Sequence, residues 1–433
     1  MTHEAHLEAA AATLGNVIDA KGVFADWRNK LLLNDVKKPR ALMANVATAL
    51  RHAPEWKRVL AYNKFADETT LWLPPPWVAD RQDWKPRPWT DDDDTRATDW
   101  MQHQGILVKD RDVALAVQMV ARENGYHQVM DYLEGCSWDG EPRIETLLPK
   151  SLGAEPTPYV IAALRCFLLG SVARVYEPGC KMDTMLVLEG RQGARKSTWV
   201  RELYGEANST DDMPDLGTKD AAITADSAWC IELPELSAMV GRRKEVEVIK
   251  AFITRRVDNY RPPYGRRNVK RPRHCVLVGT TNATDDWMRD ETGGRRYWPV
   301  RCGEIDLDLL KENRDQIWAE AVALYRLGPY EGGAWWFTDK TTQEEAREQQ
   351  DARTATDPWE PSVLEFVSTK LQTTGEDILV QCLKVSTGDL KAADLMRVGA
   401  ILRRAGWTKR KGSIAGRPRG WIWYPPAGEE VRG

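Results

Sequence analysis

An apolar segment that stops abruptly at a glycine-rich loop sets the strongest limit on the fold of this chain. Residues Met185 to Leu188 are all apolar, and the nine residues from Gly190 to Thr198 contain two glycines, two arginines and a lysine. We interpret this stretch as a buried strand, a loop and the start of a helix. Such a loop directs backbone N–H groups inward, and the positive end of the helix dipole adds to them. The stretch therefore predicts a pocket for the phosphates of a nucleotide.

The loop matches the phosphate-binding pattern G-x-x-x-x-G-K-[ST] at Gly190, Lys196 and Ser197, and departs from it at Arg195. We expect Lys196 to reach the β and γ phosphates of ATP and the Ser197 hydroxyl to bind Mg²⁺. If position 195 needs a positive φ, a residue other than glycine costs on the order of 1 kcal/mol there. The predicted ATP-binding residues are Gly190, Gly193, Ala194, Arg195, Lys196, Ser197 and Thr198. The alternative is a glycine-rich turn that binds nothing.

Two further apolar segments end in polar residues that can serve the same pocket. Ala228 to Ile231 precedes Glu232 and Glu235, and Cys275 to Val278 precedes Asn282. In P-loop enzymes, acidic residues past a neighbouring parallel strand hold Mg²⁺ and orient the attacking water. We assign Glu232 to the metal, Glu235 to the water, and Asn282 to the water or the γ-phosphate. The alternatives are a helix cap for the two acids and an Asx-turn for the amide.

A basic stretch lies between these two segments. The net charge of the chain is −3, but residues 255–273 contain eight arginines and lysines against one acid. Arginines interleaved with tyrosines suit contacts with phosphates and bases. The predicted DNA-binding residues are Tyr264, Arg266, Arg267 and Lys270. A loop that is only solvated, or that pairs with a neighbouring subunit, is the alternative.

Two adjacent arginines, Arg295 and Arg296, follow a glycine pair. Arginine is always charged and binds phosphate oxygens through two parallel hydrogen bonds. The pair therefore suits a finger that one subunit inserts into the nucleotide site of the next. Either arginine can fill this role, and the other can be structural.

Composition limits the class and the compartment. A chain of 433 residues with 42% hydrophobic content can bury a large core and divides into about three domains. The seven cysteines form no C-x-x-C pair, which indicates a reducing cytoplasm and no zinc site. We expect no signal peptide and no membrane span, because the start lacks a basic segment and arginines interrupt the longest apolar run.

The predicted fold class is α/β. Residues 1–150 are expected to form an N-terminal mixed α/β domain, 151–340 a P-loop, AAA+-like ATPase core with a parallel sheet, and 355–425 a winged-helix-like domain. The polar residues 341–357 are interpreted as a linker. In the last domain we expect Asp394 to cap a helix from Leu395 to Ala405. The basic turn after that helix suits nucleic-acid contact, or is a solvated turn of a packing domain.

These motifs together resemble the virulence-associated protein E family, the replication ATPases of phages and mobile genomic islands, which are similar to helicases of the third superfamily. The resemblance covers about residues 55–425, with the motifs in the right order. The residues that carry it are Trp138-Asp139-Gly140, Val187 to Gly193, Lys219-Asp220-Ala221, Glu232 with Glu235-Leu236, Asp258 to Tyr264, Gly279 to Asn282 and Gly294 to Val300.

The resemblance implies a ring-forming, hexameric ATPase that uses ATP and Mg²⁺ and moves along single-stranded or forked DNA. It places the loop from Tyr264 to Lys270 in the central channel. Because residues 1–150 show no convincing set of primase carboxylates, we expect any priming to come from a separate protein. Two alternatives stay open: a nucleotide-switched origin-recognition or regulatory DNA-binding protein without unwinding activity, which Arg195 favours, and a defence ATPase that acts on invading DNA.

Overall fold

The computed structural model describes residues 26–239, 243–262, 265, 267–285, 287–288, 294–354, 357–413 and 420–426. The predicted DNA-binding residues Tyr264 and Arg266 lie outside the described residues.

The first described part, residues 26–126, combines helices with a small sheet. Its elements are α1 (Met43–His52), α2 (Asp91–His103), α3 (Asp110–Ala121), β1 (Leu60–Asn63), β2 (Glu68–Leu71), β3 (Arg87–Pro88) and β4 (Gly125–Tyr126). The strand order is β3-β2-β1-β4, with β1 antiparallel to β2 and parallel to β4. The hairpin of β1 and β2 turns at Asp67, whose φ of 51° is tolerated better by aspartate than by most residues.

A parallel sheet occupies the middle of the chain. Its strands and the adjoining hairpin are β5 (Met185–Glu189), β6 (Ser209–Thr210), β7 (Cys230–Leu233), β8 (Val257–Tyr260), β9 (Val269–Pro272), β10 (Val276–Thr281) and β11 (Tyr297–Arg301). Five strands lie in the order β11-β5-β10-β7-β6, and every neighbouring pair is parallel. Strands β8 and β9 form a separate antiparallel hairpin. The protein is therefore an α/β protein, and its sheet is consistent with a P-loop core.

Helices precede, connect and follow these strands. They are α4 (Gln128–Gly135), α5 (Leu147–Ser151), α6 (Pro158–Tyr176), α7 (Lys196–Tyr204), α8 (Lys219–Ala225), α9 (Leu236–Met239), α10 (Arg243–Ile253), α11 (Leu307–Leu327) and α12 (Lys340–Asp351). Among the described residues, α6 is the one helix long and apolar enough to cross a membrane, but 78% of its apolar window is buried inside the protein. Since it packs against α11, it is a core helix.

Tryptophans orient the core between the sheet and the helices. The rings of Trp229 and Trp318 lie 4.4 Å apart between centroids. Each donates its indole N–H to a backbone carbonyl, at 3.0 and 2.9 Å. Leaving such a buried donor unpaired costs about 1–3 kcal/mol, so these bonds hold the ring orientations. The same hydrophobic cluster contains Val129 and Ala346, so residues on both sides of position 150 pack together. The domain boundary at 150 stays a prediction.

The interpretation of residues 341–357 as a linker is wrong, because most of this segment forms α12. Its buried residues are Thr342, Ala346 and Gln350, four residues apart on one helical face. The Gln350 side-chain amide donates to the Tyr297 carbonyl at 3.0 Å. Small and polar residues fill this contact with β11, so the sequence lacks the apolar stripe that usually predicts a packed helix.

The last described part carries its own hydrophobic cluster, which includes Val363, Ile401 and Trp423. Its elements are α13 (Glu360–Val367), a short helical segment (Gly375–Asp377) that continues as a π-helical turn (Ile378–Cys382), α14 (Ala392–Arg404), β12 (Thr408–Gly412) and β13 (Gly420–Tyr424). Strands β12 and β13 form an antiparallel ribbon. The predicted cap at Asp394 is wrong: α14 begins at Ala392, and Asp394 lies in its first turn.

A buried histidine beside β9 makes the fold sensitive to acid. His274 is 7% exposed, and its ring packs on Phe65. Burial, with smaller effects of His127, Arg174 and Arg271, lowers the pKa of His274 to about 4. This value lies below the value near 6.5 in the unfolded chain, so the unfolded state binds a proton more readily. The free energy of unfolding is therefore highest above pH 6.5 and decreases as the pH falls toward 4. We expect this group to remove about 2 kcal/mol of unfolding free energy between pH 7 and pH 5, measured by urea unfolding.

The matched control is His103, which is exposed on α2. His274→Asn should flatten the pH dependence, whereas His103→Asn should leave it unchanged. An equally steep loss of stability in His274→Asn would show that another group causes the acid sensitivity.

Candidate nucleotide-binding site

Lys196 lies at the centre of the predicted phosphate loop, as the first residue of α7. It is 7% exposed. Its ammonium donates to the carbonyl oxygens of Gly190 at 2.7 Å and Arg191 at 3.0 Å, and to the Asn282 side-chain oxygen at 3.2 Å. Burial lowers the pKa of Lys196. An anionic phosphate placed against this ammonium would favour its charged form.

Arg195 adopts the backbone conformation that the consensus pattern reserves for glycine. Its φ is 66° and its ψ is 24°, in the left-handed region. Position 195 therefore needs a positive φ, and arginine there costs on the order of 1 kcal/mol relative to glycine. Gly193 also has a positive φ, 78°, and, apart from its own chain neighbours, no described residue has a heavy atom within 4 Å of where its Cβ would be.

The start of α7 is open to an anion. Among the described residues, no side chain caps its first turn, and that turn contains no acid. The N–H groups of a helix start have no partner within the helix and carry a partial positive charge. The cradle formed by Gly193, Arg195 and the first turn of α7 therefore fits a phosphate group.

Glu232 gives the site its candidate metal ligand. It lies in β7 and is 2% exposed. One carboxylate oxygen, Oε1, accepts from the Ser197 hydroxyl at 2.6 Å and from the Thr280 hydroxyl at 2.7 Å. The other, Oε2, is buried with no hydrogen-bond partner in the described part of the chain. A buried carboxylate oxygen without a donor is costly, and oxygen ligands suit Mg²⁺, so Ser197 and Glu232 fit this ion.

Thr280 is a site residue that sequence reasoning missed. It lies on β10, two positions before Asn282, which follows the end of the strand; alternate residues of a strand point to the same face. The spacing could have predicted Thr280, because a side chain two residues before a predicted site amide faces the same side of the sheet. Its hydroxyl helps to fix the orientation of the Glu232 carboxylate.

Glu235 follows β7 and differs from the other predicted site residues. It is exposed, and its φ of 49° is unusual for a residue with a side chain. None of its described contacts joins it to Lys196 or Glu232. The structure therefore brings together Lys196, Ser197, Glu232 and Asn282 and leaves Glu235 beyond the carboxyl end of β7.

A buried ion pair supports the phosphate loop from behind. Glu189, directly before Gly190, is fully buried and accepts from the Arg353 side chain at 2.5 Å and from the Trp287 indole at 2.7 Å. Removing one partner of such a pair typically costs about 3–5 kcal/mol, because the other charge stays buried. These contacts join two segments to the start of the loop: the residues just after α12, through Arg353, and the segment after Asn282, through Trp287. Sequence reasoning missed Arg353. The one signal in the sequence was Glu189, because an acid at the end of a buried apolar strand requires a positively charged or hydrogen-bonding partner.

The basic stretch lies on the β8–β9 hairpin, but half of its charges serve the fold. Arg255 and Arg273 pair with Asp258, Arg271 pairs with Asp226 and Asp67, and Arg256 donates to the Gly179 carbonyl. Arg267 and Lys270 are exposed. The charge count from the sequence therefore overstated the basic surface that the hairpin presents to a partner.

The two predicted finger arginines lie in the 3₁₀ turn Gly294–Arg296 and differ in exposure. Arg295 is exposed, whereas Arg296 is half-buried. The buried Nε of Arg296 has no hydrogen-bond partner among the described residues. Of the two, Arg295 is the side chain that reaches the surface.

Comparisons with known proteins point to one family. The family model described as the virulence-associated protein E-like domain matches residues 133–355, which include the parallel sheet and Arg353. No curated protein matches the chain.

Among solved structures, the chain is similar to the apo C-terminal region of NrS-1. One structure (residues 305–718) shares 11% identity over 84% of this chain and 95% of that one, with a TM-score of 0.42. Two further structures of the region, both described as the A form, share 13% and 10% identity. They cover 68% and 85% of this chain and 78% and 96% of theirs, with TM-scores of 0.38 and 0.39. These scores are too low to support an assignment.

Proposed function

Because the chain belongs to the virulence-associated protein E-like family, we propose that it is an ATP-dependent DNA helicase or translocase that serves replication of a phage or mobile genetic element. The convergence of Lys196, Glu232 and Asn282 at the carboxyl ends of three adjacent parallel strands carries the proposal. Family membership implies nucleotide binding, and this convergence supplies groups suited to bind the triphosphate, the metal ion and the attacking water.

Each group has a distinct task in the proposed reaction. The N–H groups at the start of α7 and the Lys196 ammonium bind the triphosphate of ATP. Ser197 and Glu232 would hold Mg²⁺, which neutralises charge on the β and γ phosphates when bound. Asn282 orients the attacking water, and Glu235 accepts its proton. Lys196 releases its present contact with Asn282 when the γ-phosphate takes that place.

The proposed motor is a ring, with six copies as its expected size. Arg295 of one copy would reach the nucleotide of the next, and the β8–β9 hairpins would contact single-stranded DNA in the central channel. We propose that the protein is cytoplasmic, because its seven cysteines are free, as expected in a reducing compartment. We also propose that a separate protein supplies the primase. We also propose that the described residues from 357 onward fold as a winged-helix-like domain, since α14 and the β12–β13 ribbon share one hydrophobic cluster.

A strand-displacement assay on a forked duplex tests the motor directly. We expect ATP-dependent release of the labelled strand by the full chain with Mg²⁺, and no release with a non-hydrolysable ATP analogue. Hydrolysis of ATP without displacement on forks of either polarity would contradict helicase activity.

A nucleotide-switched DNA-binding protein is the second candidate, and the left-handed Arg195 favours it. A loop that carries strain, and whose lysine is bound by its own carbonyls, suits slow turnover. In this case nucleotide would change the affinity for duplex DNA, and no strand would be displaced. The same forked substrate therefore separates the two functions.

The exposed charges of the hairpin provide a test of DNA binding. We expect Arg267→Ala with Lys270→Ala to weaken binding of single-stranded DNA roughly tenfold at 0.1 M salt and to lower the salt dependence, because two phosphate contacts are lost. Basal ATP hydrolysis without DNA should stay near the wild-type rate. Fluorescence anisotropy with a labelled oligonucleotide measures the affinity.

The control removes the same charge elsewhere on the surface. Lys109 and Arg111 are exposed beside and on α3, and their alanine variants should bind DNA as the wild type does. Equal losses in the two double variants would show that net charge, and not the hairpin, sets the affinity.

A further inference from the structure

The β12–β13 ribbon displays a tryptophan between lysines at its solvent end. Trp421 is 53% exposed and lies directly opposite Lys411. The ammonium groups of Lys409 and Lys411 lie 5.0 and 5.4 Å from the centre of its ring. Further along the same face, Trp423 is buried and its backbone exchanges hydrogen bonds with that of Thr373. This face therefore starts in the core and emerges into solvent at Trp421.

The surroundings of Trp421 are basic. Residues 392–413 contain six arginines and lysines against one acid, Asp394, and the described residues 420–426 add no charge. Two of the six are engaged elsewhere, since Arg397 pairs with Asp357 and Arg404 with Glu360. Arg403, Lys409, Arg410 and Lys411 form no ion pair with a described carboxylate. The ammonium groups of Lys409 and Lys411 lie over the Trp421 ring in exposed cation–π contacts, which are weak enough for a base and its phosphates to replace.

We propose that Trp421, Lys409 and Lys411 form a second nucleic-acid site, in which a base of a single strand stacks on the indole while its flanking phosphates contact the lysines. A planar π-face beside two point charges matches the alternation of base and phosphate along a single strand. In a duplex the bases are paired and stacked, so their faces cannot reach the ring. The site lies outside residues 133–355 and needs no nucleotide, so it does not depend on the proposed motor.

A single strand fits this surface better than a membrane does. Membrane-binding surfaces combine several apolar side chains with cations. On the described ribbon, Trp421 is the one exposed large apolar side chain, because Ile422 and Trp423 are buried and Tyr424 is half-buried. One ring with flanking lysines can stack a base but buries little area in a bilayer.

The experiment compares two oligomers of equal charge. The full chain with Arg267→Ala and Lys270→Ala is used without nucleotide, so that the hairpin contributes little. Anisotropy measures its binding to an eight-residue oligothymidylate and to an abasic oligomer with the same number of phosphates. We expect Trp421→Ala to weaken binding of the oligothymidylate roughly tenfold and binding of the abasic oligomer less than about twofold. Trp421→Phe, which keeps a ring, should lose much less.

Three controls complete the test. Trp336→Ala removes a tryptophan of similar exposure, 45%, and should change neither affinity. Lys409→Ala with Lys411→Ala should weaken both oligomers and reduce the slope of log affinity against log salt by about 1.4. Thermal melting checks that each variant is folded.

Three results would overturn the proposal. The first is an unchanged affinity of folded Trp421→Ala for oligothymidylate. The second is that Trp421→Ala loses as much affinity for the abasic oligomer as for oligothymidylate. The third is that it loses an equal amount of affinity for phosphatidylserine vesicles. The last would make the ribbon a membrane-surface site.

Discussion

Replacing Lys196 by alanine is expected to reduce ATP hydrolysis at least about 100-fold, because one preorganised charge at a reacting phosphate is worth about that much. The ammonium is buried and points to where a γ-phosphate would lie, between the loop carbonyls and Asn282. Water would fill the space left by the side chain but would supply no positive charge. Phosphate release under saturating ATP and Mg²⁺ measures the effect.

Two control variants show whether the loss is specific to the charge at position 196. Lys196→Arg keeps the charge and should retain more nucleotide binding than Lys196→Ala, measured with a fluorescent ATP analogue. Lys150→Ala removes an exposed lysine at α5 and should hydrolyse ATP at the wild-type rate. Normal hydrolysis by folded Lys196→Ala would mean that ATP is bound elsewhere, and the site assignment would then fail.

Replacing Arg295 by alanine is expected to lower the rate of hydrolysis in the assembled protein about 10³-fold or more, the range found for arginine fingers. Arg295 is the exposed member of the pair, so it can reach a neighbouring copy. Nucleotide binding should persist, because the fingers act on the charge that develops during transfer. Arg296→Ala should instead change stability, since that side chain is half-buried.

Mixing two inactive variants shows whether Arg295 acts across an interface. In a ring of Arg295→Ala and Lys196→Ala copies, some sites combine an intact Lys196 with an intact Arg295 from the neighbour. We therefore expect the mixture to regain hydrolysis that neither variant shows alone. A mixture as inactive as its components, from variants that exchange subunits, would place the arginine on its own site.

The sequence predicted the elements whose causes lie close together along the chain. Met185 to Thr198 forms a strand, loop and helix because apolar side chains, glycines and a helix start follow one another within a few residues. The left-handed position of Arg195 followed from the spacing of the pattern. That the polar residues after β5, β7 and β10 serve one pocket followed from their positions after apolar segments, because parallel strands present their carboxyl ends at one edge.

The sequence was misleading where packing decided the outcome. Helix α12 was interpreted as a linker because its buried face is made of small and polar residues. All eight arginines and lysines of residues 255–273 were counted as one basic patch, although Asp226, Asp258 and Asp67 hold several of the arginines inside the fold. Residue type alone does not tell an arginine that neutralises a buried carboxylate from one that faces solvent.

The residues proposed to bind the phosphates could thus be identified from the sequence, because the geometry of a single loop fixes their spacing. Which side chains support them was decided only by folding. Glu189 accepts a hydrogen bond from Arg353, which is 164 positions away in the sequence, and Glu232 accepts one from Thr280, which is 48 positions away. Such contacts depend on distance and burial in three dimensions, since a charge is stable inside the protein only where an opposite charge or a donor is brought to it.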